Sequence, residues 1–242
     1  MRGAAGASPD REEKGDDVVY LVFNEGYAAT SGEVFLRHEL CAEAIRLGRL
    51  LYGLLPSEPE AAALLGLMLL LHDSRRRTRI DARGELVTLE EQDREQWDRE
   101  EIAEGCSLTE SALRRGGAGF YAIQAAVAAL HAQAAGPEAT DWPQIAALYA
   151  LLLRLHPSPV VALNHAVAVG MAEGPARGLR LLEPLAASGE LRGYHLLPAA
   201  RADLLRRLDR RPEAADAYRK ALALGPNPVE RKFLERRLSE VG

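Results

Sequence analysis

Apolar residues recur every three or four positions along most of this sequence, which is the spacing of one face of an α-helix. The pattern is clear at about 33–54, where Leu36, Leu40 and Leu47 share a stripe. The segment at about 58–72 is apolar on nearly every side, so we expect neighbouring helices to enclose it. The same pattern, interrupted by Gly, Pro and Asp, predicts further helices at about 90–96, 98–115, 119–135, 141–156, 159–172, 175–187, 194–209, 212–224 and 228–240.

Two parts of the chain lack this helical pattern. Residues 1–17 show no hydrophobic periodicity, so we expect a flexible leader there and structure from Val18 onward. An Arg-Gly turn and a short apolar alternation predict an irregular segment or small hairpin near 78–89. Short helices joined by brief loops pair antiparallel. We therefore predict an all-α fold with an N-terminal helical part at 18–115 and a repeat part at 116–242, together forming one continuous domain.

A helix-turn-helix repeat is visible between residues 195 and 227. Ala202 stands where the two helices of a tetratricopeptide pair approach too closely for a large side chain. A weaker copy lies upstream, where the small residue Ala166 precedes Ala202 by 36 positions. Because one helix pair cannot bury its apolar face alone, stacked pairs form an α-solenoid. The other signature positions, on the second helix and at its end, are Ala214, Tyr218, Ala221 and Pro226.

Composition supports a folded, helical chain. The 242 residues are 48% hydrophobic but only 5% aromatic, which is typical of helices packed through Ala and Leu. The two cysteines, Cys41 and Cys106, form no CxxC pair and predict neither a disulfide framework nor a zinc ribbon. No apolar signal segment precedes Val18, and the apolar run 64–71 is too short to span a bilayer. We therefore expect a cytoplasmic protein without a membrane segment.

The sequence contains no motif that predicts catalysis. The six histidines form no i, i+4 pair, and the HExxH-like start at His38-Glu39 has Ala42 at its fifth position. The glycine-rich stretch 116–119 has no preceding strand and no following Gly-Lys-Ser or Gly-Lys-Thr, so we interpret it as a connection between helices. No GxSxG motif occurs. We expect no enzyme, no catalytic residue, no metal site and no cofactor.

Charge is unevenly distributed along the chain. The formal net charge is −5, which excludes a surface that is basic throughout and binds nucleic acid non-specifically. Residues 90–104 are acidic, whereas residues 201–242 contain eleven Lys or Arg against seven Asp or Glu. The densest basic cluster is Arg75-Arg76-Arg77, which either grips carboxylates or phosphates or caps the preceding helix. The second interpretation is the more ordinary one.

A second candidate contact motif, Phe-Asn-Glu-Gly-Tyr, occupies residues 23–27. Two aromatic side chains flank an acidic residue and the turn-forming Asn and Gly. This cluster either packs against the first helix pair or presents a contact surface, and both interpretations stay open. Together with the three arginines, the candidate partner-binding residues are Phe23, Asn24, Glu25, Tyr27, Arg75, Arg76 and Arg77.

Several motifs follow one another in a fixed order: YLVFNEGYAATSG at 20–32, LCAEAIRLGRLL at 40–51, LMLLLHDSRRR at 67–77 and LEEQDREQWD at 89–98. They continue with ALN at 162–164 and FLERRL at 233–238. Together, over about residues 18–240, they resemble the C-terminal extension of a group of extracytoplasmic-function sigma factors of bacterial RNA polymerase. In that family the extension is tetratricopeptide-like and is thought to regulate the sigma factor.

The resemblance implies a role in bacterial transcription initiation. The sequence contains no helix-turn-helix recognition segment and no room before Val18 for the promoter-reading and polymerase-binding regions. We therefore expect a regulatory domain that contacts the sigma core or RNA polymerase and reaches DNA only indirectly. The alternative is a stand-alone tetratricopeptide adapter that binds an unrelated peptide or protein.

Overall fold

The computed structural model describes residues 9–27, 34–82 and 84–242, and most of them are α-helical. Of the two features predicted for residues 78–96, one is present and the other is not. An isolated antiparallel bridge between Ile80 and Leu86 forms the small hairpin expected near 78–89. A helix predicted at 90–96 is reduced to the 3₁₀ turn Arg94–Gln96. The α-helices are α1 Pro9–Tyr27, α2 Val34–Leu54, α3 Pro59–Leu71, α4 Arg99–Arg114, α5 Phe120–Gln133, α6 Trp142–Leu155, α7 Pro159–Glu173, α8 Pro175–Ser188, α9 Leu196–Arg207, α10 Arg211–Ala223 and α11 Pro228–Val241.

The helix predicted at 90–96 fails because local side chains favour turns there. The backbone N–H groups of Glu91 and Gln92 both donate to the carbonyl of Thr88, at 2.9 and 3.0 Å, which closes a single turn. The carboxylate of Asp93 then accepts from the N–H of Glu95 at 3.0 Å, so Asp93 starts a new turn instead of continuing the old one. The spacing of apolar residues gives no sign that turns compete with a helix at these positions.

Helix α1 begins at Pro9, well before the start expected at Val18, so the flexible leader predicted for residues 1–17 is wrong from Pro9 onward. Residues 1–8 lie outside the described part of the chain. Proline and acidic residues favour a helix N-terminus without any apolar pattern, which explains the early start. The helix continues through residues 23–27, so the expected turn at Asn24 and Gly26 is absent.

Loops end the helices with defined backbone geometry. After α4, Gly116 adopts φ +83°, and the N–H of Gly117 donates to the carbonyl of Ala112 at 3.0 Å. This is a Schellman end, in which a left-handed residue lets later N–H groups satisfy the last carbonyls of a helix. The glycine-rich stretch 116–119 is therefore a helix connection, as its sequence predicted. A proline begins several helices, at Pro59, Pro159, Pro175 and Pro228.

The chain divides into two compact units, and the boundary differs from the predicted one at 115/116. The first comprises Met1–Arg75 and Asp98–Ala132, and the second comprises Arg76–Trp97 and Gln133–Gly242. Helix α5 lies in the first unit except for its last residue, and the carboxylate of Glu60 on α3 accepts from the α5 N–H groups of Tyr121 and Ala122, at 2.8 and 3.4 Å. A long-range cap of this kind leaves no periodic signal in the sequence.

In the first unit, α3 is enclosed as its composition predicted, with every residue from Ala61 to Leu70 buried. It packs closely on α4 through glycine. A Cβ atom added to Gly66 would lie 2.9 Å from the carbonyl oxygen of Gly105, and Pro59 lies near Gly117 at the other end of the contact. These pairings run in opposite directions along the two helices, so α3 and α4 are antiparallel. The seam requires glycine because backbone meets backbone there.

The second unit stacks the helix pairs α7–α8 and α9–α10, with α11 following. Its core contains aliphatic side chains from all five helices. All six residues predicted from the repeat are buried within this unit; they are Ala166, Ala202, Ala214, Tyr218, Ala221 and Pro226. The structure adds Gly178, which follows Ala166 by twelve positions as Ala214 follows Ala202. The 36-residue offset therefore applies to both helices of the pair.

Candidate docking surfaces

The motif at residues 23–27 divides between core and surface. Phe23 has an exposed fraction of 0%, and its ring packs edge to face on His72 with the ring centroids 6.2 Å apart. Its carbonyl oxygen lies 3.8 Å from the Cys41 thiol, which donates to it. Phe23 is therefore a core residue, and its prediction as a partner contact is wrong. Burial of one large apolar side chain stabilises the fold more than a local turn would, so the helix forms despite the turn-favouring Asn and Gly.

The rest of the motif faces outward to different degrees. Asn24 is half-buried, Glu25 is exposed, and the side chain of Tyr27 lies outside the described residues. Val18 and Leu21, earlier on α1, are 60% and 66% exposed. Val18, Leu21 and Glu25 are spaced i, i+3 and i+7 and so share one face of the helix. We name these three residues the α1 stripe.

The basic cluster at residues 75–77 also divides. Arg75 is buried, and its guanidinium donates to the carbonyl oxygen of Leu71 at 3.1 Å, so it caps the C-terminus of α3. This is the more ordinary of the two interpretations, and Arg75 is removed from the candidate contacts. Arg76 and Arg77 are exposed and remain candidates.

A cationic surface that the sequence did not single out lies in the second unit. Arg207 at the end of α9 and Arg236 and Arg237 on α11 contact two consecutive acidic residues, Glu90 and Glu91. Arg207 Nη2 lies 2.7 Å from the Glu90 carboxylate, and Arg236 and Arg237 each place Nη2 3.2 Å from a Glu91 oxygen. We name the three arginines the arginine cluster and residues 88–91 the acidic turn.

Neighbouring side chains hold the arginine cluster in place. Asp203 bonds Arg207 Nε at 2.6 Å, Glu240 bonds Arg237 Nη1 at 3.0 Å, and the Phe233 ring lies 5.3 Å from the Arg237 guanidinium carbon. These contacts hold the guanidinium groups on their helices independently of the acidic turn.

The segment that follows the acidic turn is anchored through Thr78. Its hydroxyl oxygen accepts from the indole N–H of Trp97 at 3.0 Å and donates to Gln92 Oε1 at 3.1 Å. The Arg94 guanidinium carbon stands 4.8 Å from the Trp97 ring, which adds a cation–π contact. Trp97 is therefore a packing anchor, and the segment 78–97 is held by a buried polar network at its base.

The pKa values of Asp203 and Glu91, which contact the arginine cluster, are both lower than usual. Burial raises the pKa of Asp203, but hydrogen bonds from Arg207 and Arg206 outweigh burial and hold it below its ordinary value. Burial likewise raises the pKa of Glu91, while hydrogen bonds from Thr88 and the charges of Arg237 and Arg236 lower it by more. Both groups are therefore carboxylates at neutral pH, which complements the arginines.

The uneven charge distribution was the available signal for this site. The acidic stretch begins at Glu90 and the basic excess falls after residue 201, and the structure joins the two. Sequence reasoning recorded the asymmetry but did not connect the two stretches, because nothing in local spacing links positions so far apart. The contact depends on tertiary structure, in which α9 and α11 lie beside the same segment.

The chain is similar in sequence to one protein family and to one curated protein. Residues 11–113 match a family described as a family of unknown function, DUF6596. An uncharacterized protein of Rhizobium meliloti strain 1021 is 48% identical over 225 residues, which make up 93% of this chain and 52% of that protein. The chain therefore spans about half the length of the curated relative that it matches.

A solved structure supports the architecture. The crystal structure of a thermophilic TPR protein from Thermus thermophilus aligns with 95% of this chain and 98% of its own, at a TM-score of 0.57 and 15% identity. Identity this low makes the likeness one of fold alone. The predicted all-α, tetratricopeptide-like α-solenoid is thereby confirmed. Within the described residues, no helix combines the length and apolar character that a membrane span requires.

Proposed function

We propose that this chain is a protein-docking regulatory domain of the kind that extends extracytoplasmic-function sigma factors, and that it contacts a sigma core or RNA polymerase. Tetratricopeptide-like folds generally mediate protein interactions by presenting stacked helices to a partner. The ordered motifs from 20–32 to 233–238 supply the transcriptional part of the proposal. The relative's greater length is compatible with a further region in that protein.

The observation that carries the proposal is the α1 stripe. Val18 and Leu21 are large apolar side chains that remain more than half exposed on a helix whose opposite side is core. A carboxylate, Glu25, extends the same face. An apolar pair bordered by charge is the usual composition of a protein contact. Leu21 and Glu25 also lie in the first of the matching segments, residues 20–32, so we assign the stripe to the sigma core or polymerase contact.

The experiment is a binding assay with defined components. The tagged full chain is mixed with purified core RNA polymerase and, separately, with purified extracytoplasmic-function sigma cores of the source organism. We expect one of them to be retained by the chain, and the double variant Leu21→Lys/Glu25→Lys to lose it. Leu155→Lys, which alters a 48% exposed leucine on α6, is the matched control and should bind normally. Retention of neither component removes the proposal.

A second candidate, a stand-alone adapter for an unrelated peptide, is favoured by the arginine cluster. Cationic side chains on helices of stacked pairs recognise carboxylates of extended partners through charge-assisted hydrogen bonds. An adapter of this type binds its peptide in the absence of any transcription component. The two candidates are separated by whether the α1 stripe variant or an arginine-cluster variant abolishes partner binding.

A further inference from the structure

The arginine cluster and the acidic turn form a contact between distant parts of the chain. Glu90 and Glu91 lie 117 and about 146 positions from the arginines that they meet. The three guanidinium groups come from α9 and α11, two helices separated in sequence by α10. Glu90 and Glu91 do not belong to the core of α9, α10 and α11, which contains aliphatic side chains and the Tyr218 ring. The contact between Glu90, Glu91 and the arginines therefore lies outside the core of the repeat helices.

Several details indicate that this contact is exchangeable. The Glu90 and Glu91 side chains are 42% and 37% exposed, and ion pairs at such a surface contribute little to stability. Within the described residues, the buried Nε atoms of Arg236 and Arg237 find no hydrogen-bond acceptor, so Glu91 satisfies only part of their donor capacity. A carboxylate that took the place of Glu91 and also accepted from these Nε atoms would bind more strongly than Glu91 does.

The two sides are also able to separate without unfolding. The Thr78–Trp97–Gln92 network holds the base of the segment, so displacement requires movement only of residues 88–91. On the other side, Asp203, Glu240 and Phe233 keep the arginines in position when the acidic turn leaves. A binding surface that stays pre-organised loses less entropy when a ligand arrives.

We propose that the arginine cluster is a docking surface for an acidic peptide segment of a protein partner, and that the acidic turn occupies it within the free chain. The partner displaces the acidic turn by offering adjacent carboxylates to the same guanidinium groups. Charge complementarity commits the proposal to an acidic peptide, because the occupant that the structure shows is itself one. This inference deepens the protein-docking function that both candidates share, and it rests on that function alone.

The test measures binding of a defined peptide to the full chain. The probe is a fluorescein-labelled peptide with the sequence of residues 85–92, ELVTLEEQ, and its control replaces the two adjacent glutamates, which correspond to Glu90 and Glu91, by glutamine. The double variant Glu90→Gln/Glu91→Gln lacks the internal competitor, so its arginine cluster is open to the probe in most molecules. We therefore expect the acidic probe to bind this variant about tenfold more tightly than the wild-type chain. The glutamine peptide should bind neither chain.

Variants of the cluster complete the test. Added to the Glu90→Gln/Glu91→Gln chain, Arg236→Gln/Arg237→Gln should abolish probe binding, whereas Arg219→Gln, an exposed paired arginine on α10, should leave it unchanged. Unfolding curves confirm that each variant folds. Equal binding by the wild-type and Glu90→Gln/Glu91→Gln chains overturns the proposal, as does binding that survives loss of both arginines.

Two outcomes separate this inference from others. Displacement of the probe by a short DNA duplex as readily as by unlabelled peptide would assign the cluster to nucleic acid and overturn the choice of partner. The assay contains no sigma factor and no polymerase. Failure of the peptide to bind therefore leaves the α1 stripe proposal standing, and failure of the polymerase assay leaves this one standing.

Discussion

Gly170 on α7 and Gly178 on α8 meet so closely that a Cβ atom added to Gly178 would lie 2.8 Å from the Gly170 Cα. The same Cβ would stand 2.8 Å from the carbonyl oxygen of Ala166 and 3.0 Å from a methyl group of Leu204 on α9. Two of these three neighbours are backbone atoms, which cannot rotate away. The seam between the two helices therefore depends on a missing side chain.

The substitution Gly178→Ala should destabilise the chain despite the higher helix propensity of alanine. Overpacking of a rigid interior costs about 1–3 kcal/mol, whereas alanine in a helix contributes about 1 kcal/mol relative to glycine. Gly53→Ala on α2 is the control, because nothing lies within 4 Å of its added Cβ. Urea unfolding should give a lower midpoint for Gly178→Ala and an unchanged or higher one for Gly53→Ala. Equal midpoints would show that the α7–α8 seam is adaptable.

A second stability prediction concerns the turn between α9 and α10. Asp209 has φ +56°, a left-handed conformation that glycine adopts most readily and aspartate only occasionally. The N–H of Arg210 donates to the carbonyl of Leu205 at 3.0 Å in a Schellman arrangement. Asp209→Gly should therefore stabilise the chain by about 0.5–1 kcal/mol. The ion pair of Asp209 with Arg211 is largely exposed and its loss offsets little.

The control for Asp209→Gly is the same exchange within a helix. Asp216 lies inside α10 and is exposed, so Asp216→Gly should cost about 0.2–0.5 kcal/mol through lost helix propensity. Thermal unfolding of the two variants should shift in opposite directions. A fall in melting temperature for both would mean that the turn does not hold its left-handed geometry in solution.

The motif at 23–27 yields a third prediction, which separates core from surface. Phe23→Ala should lower the free energy of unfolding by about 3–5 kcal/mol, because removal of the fully buried ring leaves a cavity beside His72. Glu25→Ala, two residues away on the exposed side of α1, should change stability by less than about 0.5 kcal/mol. If Glu25→Ala unfolds the chain as readily as Phe23→Ala does, then Glu25 is part of the core and leaves the proposed contact stripe.

Sequence reasoning predicted the parts of this protein that depend on local pattern. Helix spacing located most helices, and the small residues Ala202 and Ala214 located the packing seam, since close helix approach restricts side-chain size. It missed the role of Phe23, because residues that favour turns in isolation become helical when one aromatic ring is buried. It also missed Glu60, whose carboxylate caps α5 from a distant helix. Contacts of this second kind depend on which elements fold together, which a single sequence does not display.

Protonation of Asp203 provides the last prediction. Its carboxylate accepts from Arg206 Nη2 and from Arg207 Nε, both at 2.6 Å, and these bonds hold its pKa in the folded chain below its ordinary value. A carboxyl group with a lowered folded pKa adds stability above its unfolded pKa of about 3.9, and that stability is lost as the pH falls through the folded value. The gain is modest because the side chain is 36% exposed.

The measurement compares the wild-type chain with Asp203→Asn by urea unfolding between pH 7 and pH 3. The wild type should be the more stable chain at neutral pH, and the difference should be constant down to about pH 5 and then shrink as the carboxylate is protonated. Asp216→Asn, which removes a mostly exposed partner of Arg219, should differ little from wild type at any pH. A stability difference for Asp203→Asn that persists unchanged to pH 3 would mean that shape and not charge holds the end of α9, and Arg207 would then lack the fixed orientation that docking of an acidic peptide needs.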